Sequence, residues 1–368
     1  MPNHKKFKAM IILLLIFLLS SCKTVITEIQ GIHGMWFRPP ADSAELMQSL
    51  KNMKKLGINT VFIETFYHSW TIYPGENSVQ RPEFTGWDPL KMTLDYAHTN
   101  NMEVHAWIEV FYAFNPDYLD GTRGPVLTQH PDWLLESNDP SDPFSEEGKL
   151  YFNPAHPEVK DYLLSMMKEL ITLYPVDGVH LDYIRYPVHT RDKQFGFDSV
   201  SRELFFKETG LKLTSETVND EKLFNRFAEW KINNVTRFVK NTVDVLKTIN
   251  PHIQISAAIF PSYRNDPESL SKYQDWGAWV KGDMLDFITP MCYGYTGNTR
   301  HEEIRESLKL SDVPVVIGLA INRVKNPRDV EKLMGDGLTE GSAGIAWFAY
   351  NWQTPVFTKT LIKHFEKE

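Results

Sequence analysis

Cysteine is nearly absent from this chain, with only Cys22 and Cys292 in 368 residues. That count excludes a disulfide framework and a cysteine-based metal cluster. A surplus of basic charge is also missing. The 39 Lys and Arg face 47 Asp and Glu, giving a formal net charge of −8. No Lys/Arg block or basic stripe interrupts this balance, which argues against a nucleic-acid partner. No Gly-rich phosphate loop follows the first strand-like run, where His33-Gly34-Met35-Trp36 stands instead. The chain has no Gly-x-Ser-x-Gly elbow, and no His-x-His or His-Glu-x-x-His spacing that would support a metal set drawn from His33, His68, His105, His180 and Asp182. The expectation is therefore an enzyme or binding protein with no cofactor and no metal, a metal-dependent deacetylase being the minor alternative.

What is present begins with a leader. His4-Lys5-Lys6-Phe7-Lys8 is a basic segment, and the apolar run at 10–19 is too short to span a bilayer comfortably. Leu19-Ser20-Ser21-Cys22 then resembles a bacterial lipobox. That resemblance implies cleavage before Cys22 and lipidation of it, with residues 1–21 as signal peptide and 22–30 as a tether. Lys23 rather than Asp after the cysteine leans toward the outer membrane of a bacterial envelope. Cys292 reads as a small buried apolar residue.

From residue 31 onward apolar strand-like runs alternate with amphipathic helical stretches. Eight runs fall at 32–37, 60–65, 104–110, 178–185, 253–260, 287–293, 315–321 and 345–350. Helical patterns lie between them at 43–56, 89–100, 157–173, 219–249, 273–281, 302–308 and 327–334. Strand alternating with helix argues for a parallel sheet, and eight units predict an α/β fold, a (β/α)8 barrel in one domain over 31–368. A doubly wound open sheet is the runner-up. Two insertions, 111–152 after the third run and 187–198 after the fourth, follow strands and so belong to the carboxyl-end face.

The fourth run organises the rest. In Asp177-Gly178-Val179-His180-Leu181-Asp182 a carboxylate sits near the carboxyl end of a buried strand, where burial is costly unless the charge is paired or used. Other strand ends add Arg38, Glu64, Glu109 (with His105 and Trp107 on its face), Arg185, Tyr293 and Trp347. Carboxylates, cations and aromatics round one mouth suit a polyhydroxylated substrate. Glycoside cleavage needs a protonated carboxylic acid and a second carboxyl group across the ring. Glu109 and Asp182 on neighbouring strands are the best pair. Arg38, Glu64, His105, Trp107, His180, Arg185, Tyr293 and Trp347 are the candidate substrate-binding residues. The alternative to catalysis is a carbohydrate-binding lipoprotein that has lost it.

These residues resemble the glycosyl hydrolase-like 10 family of bacterial envelope proteins. The matching segments include Gly34-Met35-Trp36, Leu56-Gly57-Ile58-Asn59, Gly86-Trp87-Asp88-Pro89-Leu90, Val104-His105-Ala106-Trp107, Asp286-Phe287-Ile288-Thr289-Pro290 and Ile317-Gly318-Leu319-Ala320. The resemblance runs from about residue 31 to 350 and implies a (β/α)8 barrel that hydrolyses glycosidic bonds, with peptidoglycan glycan as one linked substrate. Asp182 matches the family pattern. Glu109 stands where many members carry Asn. A more distant likeness is to chitinase-like barrels. There Asp177, Gly178 and Asp182 match, while Ile184 replaces the acid Glu; a substrate-assisted mechanism would use Asp182 and Tyr293.

Overall fold

The computed structural model describes residues 31–115, 124–139, 141–144, 148–190, 192–261, 272–294 and 297–365. The proposed signal peptide, tether and Cys22 lie outside the described residues. Eight parallel strands form a barrel: β1 Ile32–Phe37, β2 Thr60–Tyr67, β3 Glu103–Glu109, β4 Gly178–Asp182, β5 Gln254–Ile259, β6 Phe287–Pro290, β7 Val316–Ala320 and β8 Gly344–Phe348. Hydrogen-bonded ladders run in the order β7-β8-β1-β2-β3-β4-β5-β6. The last seam, between β6 and β7, is closed only by bridges between Ile288 and Val315 and between Met291 and Gly318. The barrel is thus nearly closed, as the eight alternating units predict.

Helices follow the strands because the sequence supplies caps. Asp42, Asp88, Asp198 and Asp220 each accept a backbone N–H at a helix start. This satisfies donors that the first turn leaves orphaned. After the helix Ser43–Lys55, Gly57 takes φ 72°, the left-handed conformation that lets the chain turn into β2. The long helix Glu221–Ile249 adds a buried stripe, including Val235, Phe238 and Leu246, to the core between barrel and helices, while its Phe227 packs in a separate cluster with Phe197, Phe205 and Trp230. Among the described residues no helix is long and apolar enough to cross a membrane.

Strand residues alternate between two cores. One set faces the surrounding helices and includes Met35, Val61, Val104, Val179, Ile255, Ile317 and Trp347. The other fills the barrel and includes Trp36, Phe62, Trp107, Phe287, Val316 and Ala346. His105 and His180 join this inner set. Their ring centroids lie 5.4 and 4.6 Å from that of Phe62. Gly178 makes the packing possible, since a Cβ there would fall 2.2 Å from His105 Nδ1.

The opposite, amino-terminal rim is pinned by two aspartates placed just before strands. Asp177 accepts from the Val104 amide at 2.7 Å, and Asp286 accepts from the Ile255 amide at 2.6 Å. Both tie a strand to its neighbour far from the mouth, where barrels put stability rather than chemistry.

Candidate active site

Glu109 and Asp182 are register partners at the last paired position of β3 and β4. They stand at the same height on the inner side, above the layer formed by the partners Trp107 and His180. Asp182 is partly exposed and Glu109 is 2% exposed.

Asp182 is held by two donors. The Trp107 indole Nε1–H donates to Oδ2 at 3.0 Å, and the Tyr183 amide donates to Oδ1 at 2.7 Å. Burial raises its pKa, while these hydrogen bonds and the charges of Arg185 and Arg38 pull it back down. The net effect stays upward, and the two donors aim the carboxyl group rather than leave it free to rotate.

Glu109 has the opposite character. Burial raises its pKa well above the ordinary carboxylate range, and the Glu64 and Asp182 charges add to the effect. Glu64, at the end of β2, is fully buried, and its two carboxylate oxygens each lie 2.8 Å from Arg38 Nε. Arg38 Nη2 also lies 3.6 Å from Glu109 Oε1. Glu64 and Glu109 act on each other through their charges. Arg38 contacts Glu64 directly and Glu109 at longer range, so burial and the neighbouring acids weigh most on Glu109. The site therefore sets a carboxyl that holds its proton more tightly beside a second carboxyl on the adjacent strand, an arrangement with acid/base capacity.

Aromatic rings frame this pair. Arg38 Cζ lies 5.0 Å from the Trp107 ring centroid, and Asn351 fastens Arg38 by accepting from its amide at 3.0 Å and donating to its carbonyl at 3.1 Å. Tyr293 is partly exposed; burial pushes its phenol up, with the Asp182 charge next in effect. Its ring stacks on Phe348 at 5.7 Å. Phe348 in turn meets the half-exposed Trp352 edge to face at 4.9 Å.

Not every expected binding residue reaches the mouth. Trp347 corrects the expectation: it is fully buried, donates its indole N–H to His33 Nε2 at 2.7 Å and packs on Phe357 at 5.1 Å between sheet and helices. The alternation of β8 sends Ala346 and Phe348 inward and Trp347 outward. His105 and His180 also depart from the substrate-binding expectation. Both are fully buried inside the barrel, with His180 Nδ1 bonded to Ser256 Oγ at 2.8 Å. Arg185 is 6% exposed, donates to the Tyr186 carbonyl at 2.8 Å and lies over the Tyr183 ring at 4.9 Å, so it braces the loop after β4. Trp107 is 1% exposed and acts through Asp182. Ser262, Tyr263, Arg264 and Tyr295, further residues at strand ends, lie outside the described residues.

Tyr183 was not among the expected site residues. It adopts φ 47°, ends β4 and brings its ring within electrostatic reach of Glu109 and Asp182, against Tyr112 at 4.8 Å. Nothing in its sequence context signals that conformation. Among the described residues, no cluster of three or more His, Cys, Asp or Glu side chains is arranged to hold a metal ion.

The model of the glycosyl hydrolase-like 10 family matches residues 25–335. Glycosyl hydrolase DigH of Escherichia coli K12 is 24% identical over 334 residues, covering 78% of this chain and 67% of that protein. Glycosyl hydrolase YngK of Bacillus subtilis is 23% identical over 314 residues, covering 77% of this chain and 57% of that one. Among solved structures, the β-amylase catalytic domain of Paenibacillus polymyxa superposes with a TM-score of 0.63 at 11% identity, covering 92% of this chain and 99% of that one. The α-L-fucosidase isoenzyme 2 of Paenibacillus thiaminolyticus gives 0.63 at 12%, covering 91% of this chain and 48% of that one. These likenesses establish the barrel fold.

Proposed function

Because the chain belongs to the glycosyl hydrolase-like 10 family, we propose that it hydrolyses glycosidic bonds in an envelope polysaccharide, with peptidoglycan-type glycan the favoured substrate. The observation that carries this reading is the pairing of Glu109, whose pKa burial raises well above the ordinary carboxylate range, with Asp182 at one height on β3 and β4. Glu109 gives its proton to the leaving oxygen as the bond to the anomeric carbon breaks. Asp182 serves the opposite face of the sugar, as nucleophile or as base for water. Arg38 and Tyr293 border the same space and bind hydroxyls, and Trp352 offers a ring face at its edge.

Substrate entry has to open a path to Glu109. Arg38, whose side chain is 36% exposed and 3.6 Å from Glu109, is the neighbour with room to move. The low exposure of Glu109 also favours a second reading, a carbohydrate-binding protein without turnover. Replacing Glu109 by Gln and Asp182 by Asn separates the two. Under hydrolysis both variants lose about 10³-fold or more of the reducing ends released from purified glycan strands. An aryl glycoside, whose leaving group needs no proton, restores Glu109→Gln but not Asp182→Asn. Wild-type protein that binds glycan and releases no ends would establish the binding-only reading. For location, we propose lipidation at Cys22 and attachment to the outer membrane, supported by Leu19-Ser20-Ser21-Cys22. Metabolic labelling with a fatty acid should mark the wild type and not Cys22→Ser.

A further inference from the structure

Lys231 is fully buried on the long helix Glu221–Ile249. Among the described residues no carboxylate pairs with it, and burial alone pushes its pKa well below the ordinary lysine range. A buried ammonium without a counter-ion is costly, so packing does not call for one there. Its surroundings are an aromatic cage. Nζ lies 3.9 Å from the Tyr273 ring centroid, 4.2 Å from that of Phe227 and 5.6 Å from that of Tyr186. Such rings attract a cation where no acid does.

The hydrogen bonds of the ammonium go to a loop of the carboxyl-end face. Nζ donates to Gln194 Oε1 at 2.9 Å and to the Phe195 carbonyl at 3.4 Å, both in the segment after β4. The Tyr273 hydroxyl, in the segment after β5, donates to the same Gln194 Oε1 at 2.7 Å. Gln194 also joins the insertion after β3. Its amide donates to Asn138 Oδ1 at 2.7 Å, and its carbonyl accepts from the Asn138 amide at 2.9 Å. Three loops thus meet at Gln194, and Lys231 holds Gln194 from beneath. From there the contacts lead to the mouth. The Tyr186 amide donates to the Lys272 carbonyl at 3.1 Å, and Arg185 Nη1 donates to the Tyr186 carbonyl at 2.8 Å. Arg185 lies over the ring of Tyr183, whose amide holds Asp182.

We propose that Lys231 is a positioning residue: its ammonium fixes the loops after β3, β4 and β5 against one another and so keeps Asp182 in register with Glu109. Its effect on rate rests on the glycosidase reading, whereas its effect on the loops does not. Lys231→Met separates positioning from packing, since it keeps the length of the side chain and drops the charge and the donors. Loss of an unpaired buried charge leaves global stability unchanged or higher, while the loops lose their common anchor.

Hydrogen exchange, urea unfolding and glycan turnover of the full-length proteins test this. In Lys231→Met the amides of Asn138, Tyr186 and Gly196, which bridge these loops, should exchange about tenfold faster. Amides of the barrel strands should keep their rates, and the urea midpoint should stay or rise. On peptide-free glycan strands kcat should fall about tenfold with KM little changed. Tyr273→Phe, which deletes the second donor to Gln194, should show the same local pattern. Loop exchange unchanged in both variants overturns the proposal. So does a lower midpoint with faster exchange throughout the chain, which would make Lys231 a residue of stability alone. Faster loop exchange at unchanged kcat overturns the link to Asp182. Wild type that releases no ends overturns the glycosidase reading, and the exchange pattern then decides by itself whether Lys231 fixes the loops.

Discussion

The Trp107 indole N–H donates to Asp182 Oδ2 at 3.0 Å while Arg38 lies over the same ring at 5.0 Å. One buried side chain thus orients the exposed carboxylate and stacks under the cation that reaches the other two acids. On the proposed mechanism Trp107, 1% exposed beneath Asp182, is a positioning residue. Trp107→Phe keeps the ring and deletes the donor. A hydrogen bond to a charged acceptor favours the ionised form, so its loss lets burial raise Asp182 further. On the proposed mechanism activity requires Asp182 ionised and Glu109 protonated, so the acid limb of the pH–rate profile belongs to Asp182 and the alkaline limb to Glu109. In Trp107→Phe the acid limb should move up by about one pH unit, with the alkaline limb in place. A uniform loss of rate without movement of either limb would reduce Trp107 to packing.

Arg38 stands between Glu64 and Glu109, in direct contact with the first and 3.6 Å from the second. Removing the cation leaves Glu64 buried with only the weaker influence of Arg81 to oppose its charge. Arg38→Met should cost about 3 kcal/mol in denaturant unfolding. The sign with pH follows from Glu64. Without Arg38 its folded pKa rises, the folded state holds an extra proton, and stability falls as pH increases above the unfolded carboxylate range. The loss should therefore be larger at pH 8 than at pH 5, each pH being compared with wild type. Adding Glu64→Gln to Arg38→Met removes the buried charge and should return much of the stability. A pH-independent loss in the single variant would show that Glu64 is not the group left stranded.

The strand–helix rhythm made the barrel legible, because parallel strands buried on both faces read as short apolar runs. Strand ends were less visible. The fourth run was expected to reach residue 185, since Ile184 continues the apolar pattern, but β4 stops at Asp182 where Tyr183 turns to positive φ. Ile184 is instead buried in the loop that follows. The Glu109–Asp182 pair was legible because both fall at the end of neighbouring runs. Trp347 was misplaced because strand ends say which residues are high in the barrel, and only register says which face inward. Pairing of Met35 with Trp347, both in the outer core, settles that parity. Glu64 was visible only as a strand-end residue, whereas its contact with Arg38 and its charge effect on Glu109 need coordinates.

His33 supplies a test of the fold that leaves the mouth alone. Its Nδ1 lies 2.8 Å from the Gly57 carbonyl and its Nε2 accepts from Trp347, so the ring must be neutral with the proton on Nδ1. Burial lowers its pKa to about 4. The folded value lies below the unfolded one, so stability is full above about pH 6.5 and is lost as pH falls toward 4. Complete burial makes the effect large, about 3 kcal/mol at the lower end. His33→Gln should be weaker than wild type at pH 7 and should lose one proton's worth of slope between pH 6.5 and 4. The remaining slope belongs to other buried histidines such as His68, His180 and His189, each of which burial also pushes down. An unchanged slope would mean that His33 is already charged in the fold.

Trp352 is the half-exposed ring at the edge of the mouth, 42% exposed at the turn after β8. It is connected inward ring by ring, through Phe348 to Tyr293 and so to Asp182. An indole this open adds little to folding, and Trp352→Ala should change unfolding free energy by no more than about 0.5 kcal/mol. Its face suits the apolar side of a sugar ring. Long glycan strands should therefore bind Trp352→Ala about tenfold more weakly, with Trp352→Tyr close to wild type, while short chains that cover only the carboxylate pair bind equally well. Tryptophan fluorescence should report the same contact as a change on glycan addition that disappears with the side chain. A loss of affinity independent of chain length would instead place Trp352 at the cleavage point, inside the space bounded by Arg38 and Tyr293.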